Sequence, residues 1–192
     1  MNFVFDVGNV LVEYEPVEYL EKLFSDRLLA QKMFETIFKC PEWLLMDMGK
    51  LTHDEATVIF CEREPEYTDE IVYAIKNVNR MFNPISGTIE HIPKIKKAGH
   101  RIFYLSNIHN EIRDFLMSEH KYFTLFDGGV FSCDVGVIKP SPEIYRYFID
   151  KYSLIPNECL FFDDMTDNVE AAEKEGIKSI LFSTADCVLP FI

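Results

Sequence analysis

The sequence predicts an α/β fold in which helices cover both faces of a parallel sheet and a small helical domain is inserted near the N-terminus. A short apolar run from Asn2 to Phe5 indicates a buried first strand. From about residue 86 onward, strand and helix patterns alternate, as they do in parallel sheets with crossover helices. Between these two regions, residues 16–83 carry only helical patterns. The predicted domains are therefore 1–15 with 84–192, and the inserted 16–83.

Three helices joined by loops are expected in the inserted stretch. Their predicted extents are 16–39 up to a break at Cys40-Pro41, a stretch from Thr52 onward, and 68–81. Thr52 and Glu55 have the spacing of a capping box, and Thr68 is expected to cap the third helix. The apolar segment 43–49 is expected to be irregular.

Helices and strands alternate in the remainder of the chain. The predicted strands cover 101–105, 130–131, 160–162 and 179–182. The predicted helices end at Gly99, cover 111–120, run from Ser141-Pro142 to about Tyr152, and cover 167–175. Gly176 follows the last helix, where glycine accepts a left-handed conformation. Pro93 falls inside the first of these helices and could kink it.

Composition restricts the partners and the compartment. The formal net charge is −13 at pH 7, which repels a nucleic-acid backbone, and the one basic cluster, Lys94 with Lys96 and Lys97, suits a helix C-terminus. The five cysteines show no metal-ligand spacing and are expected to be reduced. No apolar stretch approaches the ~20 residues of a membrane span, and no signal sequence is evident. We therefore expect a cytoplasmic protein without a membrane or nucleic-acid partner, and the oligomeric state is not predicted.

Six polar residues follow predicted strands or precede a helix that begins with proline. They are Asp6, Ser106, Asn107, Lys139, Asp163 and Asp164. Ligands of open parallel sheets bind beyond the carboxyl ends of the strands, so these side chains are expected to converge at one edge. Each residue alone has an ordinary explanation as a turn, cap or solvated residue. Their joint order along the chain indicates a site.

This set of residues has the chemistry for transferring a phosphoryl group to a carboxylate. An aspartate such as Asp6 can attack phosphorus and form an aspartyl-phosphate that water later cleaves. Mg²⁺ typically uses one or two carboxylates together with substrate phosphate, and Asp6 and Asp164 can supply these carboxylates. Lys139 and Ser106 can stabilise charge on the remaining phosphoryl oxygens.

Four segments resemble the motifs of the haloacid dehalogenase-like hydrolase superfamily. They are Phe3 to Leu11, Phe103 to Asn107, Lys139 within Gly136 to Tyr145, and Leu160 to Gly176. The resemblance implies a Rossmann-like core, a helical cap formed by 16–83, Mg²⁺ as cofactor and a small phosphate ester as substrate. The Asp-x-Gly-Asn-Val and Phe-Phe-Asp-Asp patterns look most like bacterial sugar-phosphate phosphatases, in particular the α-D-glucose-1-phosphate phosphatase type.

The resemblance also implies a role for each motif residue. The implied metal site consists of Asp6, the backbone carbonyl of Gly8, Asp164 and, through a bound water, Asp163. The implied phosphoryl-binding residues are Ser106 and Asn107. Asp6 is the implied nucleophile, which Lys139 orients while neutralising charge.

Gly8 departs from most phosphatases of this superfamily, which carry a second aspartate at this position to protonate the leaving group. A positioned acid is typically worth ~10²–10⁴ in rate. Three explanations are open: another residue serves, with His109 or Glu13 as candidates, or the leaving group needs less help, or turnover is slow. His109 is equally well explained as an ordinary loop histidine.

Substrate choice is expected to depend on residues 16–83, because the motifs handle only phosphate. We expect the segment 43–50 to overhang the site, with Gly49 allowing a turn and Trp43 or Lys50 reaching the substrate. His109 is a further candidate contact. The alternative, that Trp43 and its neighbours form the core of the helical domain, is slightly favoured.

Other functions are open on the sequence. A 2-haloacid dehalogenase uses the same aspartate without magnesium, and the pair Asp163-Asp164 argues against it. A phosphonatase would need a Schiff-base lysine, for which Lys50 is available. A non-catalytic binding protein that kept the fold is supported only by Gly8.

Overall fold

A five-stranded parallel sheet with the order β3-β2-β1-β4-β5 organises the protein, whose computed structural model describes residues 1–192. The strands are β1 Asn2–Phe5, β2 Arg101–Ser106, β3 Gly128–Phe131, β4 Cys159–Asp163 and β5 Lys178–Leu181. All of β1 is buried because it lies at the centre of the sheet between β2 and β4, which explains its apolar sequence. The parallel sheet confirms the predicted α/β fold.

Helices fill the connections between the strands. They are α1 Pro16–Leu23, α2 Arg27–Met33, α3 Pro41–Asp47, α4 His53–Arg63, α5 Thr68–Asn77, α6 Ser86–Ile89, α7 Ile92–Lys97, α8 Asn110–Glu119, α9 Ser132–Val135, α10 Pro142–Lys151 and α11 Thr166–Lys174. The first seven lie between β1 and β2 in the chain. No helix of the protein is both long enough and apolar enough to cross a membrane.

The helix predicted over 16–39 is broken in the structure. After α1, Asp26 begins α2 by accepting hydrogen bonds from the backbone N–H groups of Leu28 and Leu29. The α2 helix then passes into a π-helical turn over Phe34–Phe38. The spacing of apolar residues predicted that this region is helical. It does not show that Asp26 ends one helix and begins the next.

Proline begins two helices that the sequence prediction misplaced. The segment 43–49, expected to be irregular, is mostly helix α3, which Pro41 opens in its first turn. Pro93 also stands in the first turn of its helix, α7, where it causes no kink. The capping box predicted at Thr52 is present, whereas Thr68 is the first residue of α5 and not its cap.

The inserted helices share a hydrophobic core with the sheet. Trp43 and Met46 of α3 belong to the same buried cluster as Phe3 and Phe5 of β1. A separate cluster, which includes Phe148, fills the opposite face of the sheet. The continuous core packs α3 against the α/β part of the protein.

Gly49 lies in the turn after α3, where the sequence predicted that a glycine allows the chain to turn. It also lets this turn approach α9 closely. Its φ is +65°, and a Cβ built there would lie 2.3 Å from the backbone oxygen of Cys133. Only glycine adopts this conformation at no steric cost while leaving room for the carbonyl. The end of α3 is thereby held against α9, which directly follows β3.

Gly49→Ala is expected to lower the free energy of unfolding by about 3 kcal/mol, since a left-handed backbone and a clash must both be accommodated. Gly99 is the matched control, because its φ is +83° and a Cβ there would meet nothing within 4 Å. Gly99→Ala is expected to cost only about 1 kcal/mol. Urea unfolding measures both values, and equal losses would contradict the close approach at Gly49.

Candidate active site

A cavity of about 360 Å³ opens at the carboxyl ends of β1, β2 and β4. The predicted site residues that line it are Asp6, Gly8, Trp43, Ser106, Asn107, His109, Lys139 and Asp164. Lys50 is exposed and does not line the cavity, and Asp163 is fully buried behind it. Because parallel strands end at the same edge, residues far apart in the chain meet here.

Lys139 lies between two buried carboxylates. Its Nζ is 2.8 Å from Asp6 Oδ1 and 2.6 Å from Asp163 Oδ2. Burial raises the pKa of Asp6 to about 7, although Lys139 opposes the shift. Burial alone would lower the pKa of Lys139, but the two carboxylates outweigh it and the pKa is raised. The lysine is therefore a fixed positive charge beside Asp6.

Both oxygens of Asp163 bind groups inside the protein. Oδ1 accepts hydrogen bonds from the Met165 N–H and from Asn168 Nδ2. Oδ2 accepts from Lys139 Nζ and again from Asn168 Nδ2. Asp163 has no exposed surface, and these contacts hold its carboxylate beside Lys139.

Asp164 faces the cavity on the other side of the acidic cluster. Ligand oxygens of Asp6, Asp163 and Asp164 lie within 4.8 Å of one another. Burial raises the pKa of Asp164, although a hydrogen bond of 3.1 Å from Asn9 Nδ2 to its Oδ2 opposes the shift. Carboxylates with raised pKa values around one cavity favour a bound cation. Their hard oxygen donors, together with the Gly8 carbonyl, fit Mg²⁺.

Asn9 was not predicted from the sequence and supports this cluster. Its backbone has a φ of 54°, a left-handed conformation that asparagine tolerates better than most residues. Its Oδ1 accepts the backbone N–H of Tyr14 at 2.9 Å while its Nδ2 donates to Asp164. Asn9 thus orients Asp164 from the loop that follows β1.

The side chain of Asn107 is committed to the segment that carries Lys139. Its Nδ2 donates to the Lys139 carbonyl at 2.9 Å, and its Oδ1 accepts the Lys139 N–H at 2.7 Å. This side chain, predicted to bind the phosphoryl group, binds the Lys139 backbone, and the second Nδ2 hydrogen and the backbone N–H of Asn107 have no partner in the protein. The Ser106 hydroxyl lines the cavity and makes only a long hydrogen bond of 3.5 Å.

His109 is a buried, neutral histidine on the cavity wall. Its Nδ1 lies 3.2 Å from His53 Nε2, and its own Nε2 has no partner in the protein. Burial holds the pKa of His109 well below the usual value, so the ring is uncharged near pH 7. Its ring stands edge-on to Trp43, with 4.9 Å between centroids. This unpaired nitrogen is itself almost fully buried.

Helix α3 closes the cavity on the side of the inserted helices. Trp43 is 6% exposed, lines the cavity and belongs to the hydrophobic core. Asp47, the last residue of α3, and Tyr14, from the loop after β1, also line the cavity. The sequence analysis missed Asp47 and Tyr14 because a single aspartate or tyrosine has no local signature of its position in the fold.

The chain belongs to the family of haloacid dehalogenase-like hydrolases, whose family model matches residues 1–176. It is accordingly a hydrolase of this family, and the predicted resemblance to the superfamily is confirmed. The finer likeness to the glucose-1-phosphate phosphatase type is not.

Two curated relatives cover most of the chain. Drimenol cyclase drtB of Aspergillus calidoustus is 25% identical over 186 residues, which are 95% of this chain and 34% of that protein. The chain thus spans about a third of that relative's length. Sesquiterpene phosphatase astK of Aspergillus oryzae is 24% identical over 174 residues, which are 91% of this chain and 85% of that protein.

Solved structures share the fold at low identity. The HAD family enzyme bt-2542 of Bacteroides thetaiotaomicron superposes with a TM-score of 0.78 at 19% identity, covering 100% of this chain and 98% of that chain. The same enzyme in complex with magnesium and inorganic phosphate has a TM-score of 0.73 at 20% identity, covering 95% and 93%. These likenesses establish the architecture.

Proposed function

We propose that this protein is a magnesium-dependent phosphatase that hydrolyses a small phosphomonoester through an aspartyl-phosphate on Asp6. Residues 16–83 serve as the cap that selects the substrate. The observation that carries the proposal is the Lys139 ammonium held 2.8 Å from Asp6, with Asp164 in the same cavity. The sesquiterpene phosphatase relative and the magnesium and phosphate complex of bt-2542 support it.

The geometry of Asp6 suits nucleophilic attack. Its Oδ1 is held by Lys139 Nζ at 2.8 Å and by the Val7 N–H at 2.6 Å, whereas Oδ2 makes no hydrogen bond in the protein. Oδ2 is therefore free to attack phosphorus. Lys139 and the Ser106 hydroxyl stabilise negative charge on the transferred group. Asp6, Asp164 and the Gly8 carbonyl would hold Mg²⁺, which would supply further neutralisation of phosphate charge.

We favour a sugar phosphate as the substrate class. His109 and Asp47 line the cavity, His109 Nε2 has no hydrogen-bond partner in the protein, and no protein group stabilises the charge of the Asp47 carboxylate. Buried polar groups left unpaired by a hydrocarbon leaving group cost binding energy, whereas sugar hydroxyls satisfy them. Prenyl phosphates, suggested by the sesquiterpene phosphatase relative, are the informative comparison.

Asn9→Gly is expected to weaken Mg²⁺ affinity about 10–100-fold, because Asp164 loses the group that orients it. Glycine accepts the positive φ at this position, so the change removes the side chain without straining the backbone. Titration of Mg²⁺ followed by the fluorescence of Trp43, the single tryptophan, or by calorimetry measures the affinity. An unchanged affinity would show that Asn9 does not support the metal site.

Phosphate release from a panel of sugar phosphates, prenyl phosphates, nucleotides and acyl phosphates, with Mg²⁺ or with chelator, tests the proposed function. We expect magnesium-dependent release that is fastest for a sugar phosphate. A parallel assay measures halide release from 2-chloropropionate and cleavage of a phosphonate. Metal-independent halide release, or phosphonate cleavage without ester hydrolysis, would replace the proposal with the corresponding alternative.

A further inference from the structure

We propose that Asp47 is the general acid and base of this active site, the role for which Gly8 has no side chain. The inference rests on the proposed phosphatase function and adds to it a catalytic residue contributed by the inserted helices. It is carried by the position of the Asp47 carboxyl group in the cavity and by the contacts that fix the end of α3.

The Asp47 carboxyl group is available to a ligand. Asp47 is 9% exposed and lines the same cavity as Asp6 and Ser106. Nearly all of the residue is buried, and no hydrogen bond or charge from the protein offsets the effect of burial on its carboxyl group. A buried carboxyl group without a partner is costly unless a ligand completes its hydrogen bonding. The leaving group of a bound phosphate ester is such a ligand.

The backbone at Asp47 is anchored to the phosphate end of the cavity. The Ser132 hydroxyl donates to the Asp47 carbonyl at 2.5 Å and accepts the Ile108 N–H at 2.9 Å. Ile108 follows Ser106 and Asn107 in the loop after β2, so one buried serine joins this loop to α3. Together with the packing of Gly49 on Cys133, this contact sets Asp47 relative to the phosphoryl-binding residues.

The surroundings of Asp47 favour its protonated form. It is the last residue of α3, where the helix dipole opposes a negative charge. Burial raises the pKa of Asp47 to about 7, and no cation lies near enough to oppose the shift. A carboxylic acid with a pKa near the working pH can donate a proton and then accept one.

Other groups on this side of the molecule are less suited to the role. Glu13 is exposed, accepts a hydrogen bond from Asn83 and does not line the cavity. His109 is held neutral by burial, so it has no imidazolium proton to give. Burial raises the pKa of Tyr14 above its usual value near 10, which makes its hydroxyl a weak acid at neutral pH.

Asp47 gives up a proton in the first step and regains one in the second. In the first step Asp6 Oδ2 bonds to phosphorus, the ester P–O bond breaks, and the Asp47 proton moves to the departing oxygen, which leaves as an alcohol. In the second step water attacks phosphorus and gives a proton to the Asp47 carboxylate. The bond between phosphorus and Asp6 breaks, releasing inorganic phosphate and restoring both aspartates.

The dependence of rate on the leaving group tests Asp47 directly. Asp47→Asn is expected to lower kcat/KM for sugar phosphates by about 10²–10⁴-fold, because an alkoxide leaving group needs a proton. For p-nitrophenyl phosphate and acetyl phosphate, whose leaving groups are stable as anions, the loss is expected to stay below about tenfold. The ratio kcat/KM is used because it reports only the steps up to departure of the leaving group.

His109→Asn is the comparison variant, since it also removes a polar group from the cavity wall. Its losses are expected to be similar for activated and unactivated esters. Equal losses across the series for Asp47→Asn, or no loss, would overturn the assignment, as would a leaving-group dependence that appears only in His109→Asn. Wild-type release of p-nitrophenol with Mg²⁺ is the internal reference: its absence would reject the phosphatase function itself.

Discussion

Asp6→Asn is expected to abolish turnover, lowering kcat by at least about 10⁴-fold for every substrate. An amide cannot attack phosphorus, and no other carboxylate is available for attack beside Lys139, because Asp163 is sealed behind it. The fold is expected to survive, since Lys139 keeps its 2.6 Å contact with Asp163. Phosphate release and thermal unfolding of the same preparation measure the two properties.

Asp114→Asn is the matched control for this substitution. Asp114 is an exposed aspartate paired with Arg113 on α8, and its replacement is expected to leave both turnover and unfolding nearly unchanged. Residual activity of Asp6→Asn above about 0.01% of the wild-type rate, from protein free of deamidated material, would contradict covalent catalysis by Asp6.

Lys139→Met is expected to produce the largest loss of stability, about 3–5 kcal/mol, because it leaves two buried carboxylates without their cation. Activity should fall as well, by about 10²–10³-fold or more, since Lys139 stabilises charge on the phosphoryl group. Lys96→Met is the control: Lys96 pairs with Asp127 at 2.8 Å in a partly exposed position, where such a pair is worth about 1 kcal/mol or less.

The loss in Lys139→Met should depend on pH in a definite direction. Burial already raises the pKa of Asp6 from 3.8 to about 7, and removing the lysine raises it further. The folded variant therefore binds more protons than the unfolded chain above pH 3.8, so its stability falls as pH rises toward 7 and beyond. Urea unfolding at pH 5 and pH 8 in chelator measures this, and a larger loss at pH 5 would contradict it.

The sequence was sufficient to predict where the chemistry lies, because topology controls that part of the site. Asp6, Ser106, Lys139 and Asp164 follow strands or precede a proline-started helix, and parallel strands bring such positions to one edge. The central strand could also be predicted, because a strand that is buried on both faces needs a continuous apolar run. The alternation of strand and helix patterns likewise predicted the helices.

The partners of individual side chains could not be predicted from the sequence. Asn107 and Asp163 stand in motif positions, and in the folded protein Asn107 binds the Lys139 backbone while Asp163 binds the Lys139 ammonium group. Only the tertiary structure shows that Asn9 and Asp47 belong to the site. For Asp47 the decisive contacts are the buried Ser132 hydroxyl and the turn after α3, which join segments far apart in the chain.

The most direct test of the account is to trap the phosphoryl group on the protein during turnover. The enzyme is mixed with Mg²⁺ and a substrate that it hydrolyses, quenched in acid within one turnover, reduced with borohydride and digested for mass spectrometry. Borohydride converts an aspartyl-phosphate to homoserine, so the account predicts homoserine at position 6 and none in Asp6→Asn. Efficient phosphate release without modification at Asp6, or with modification at another residue, would contradict the central role of Asp6.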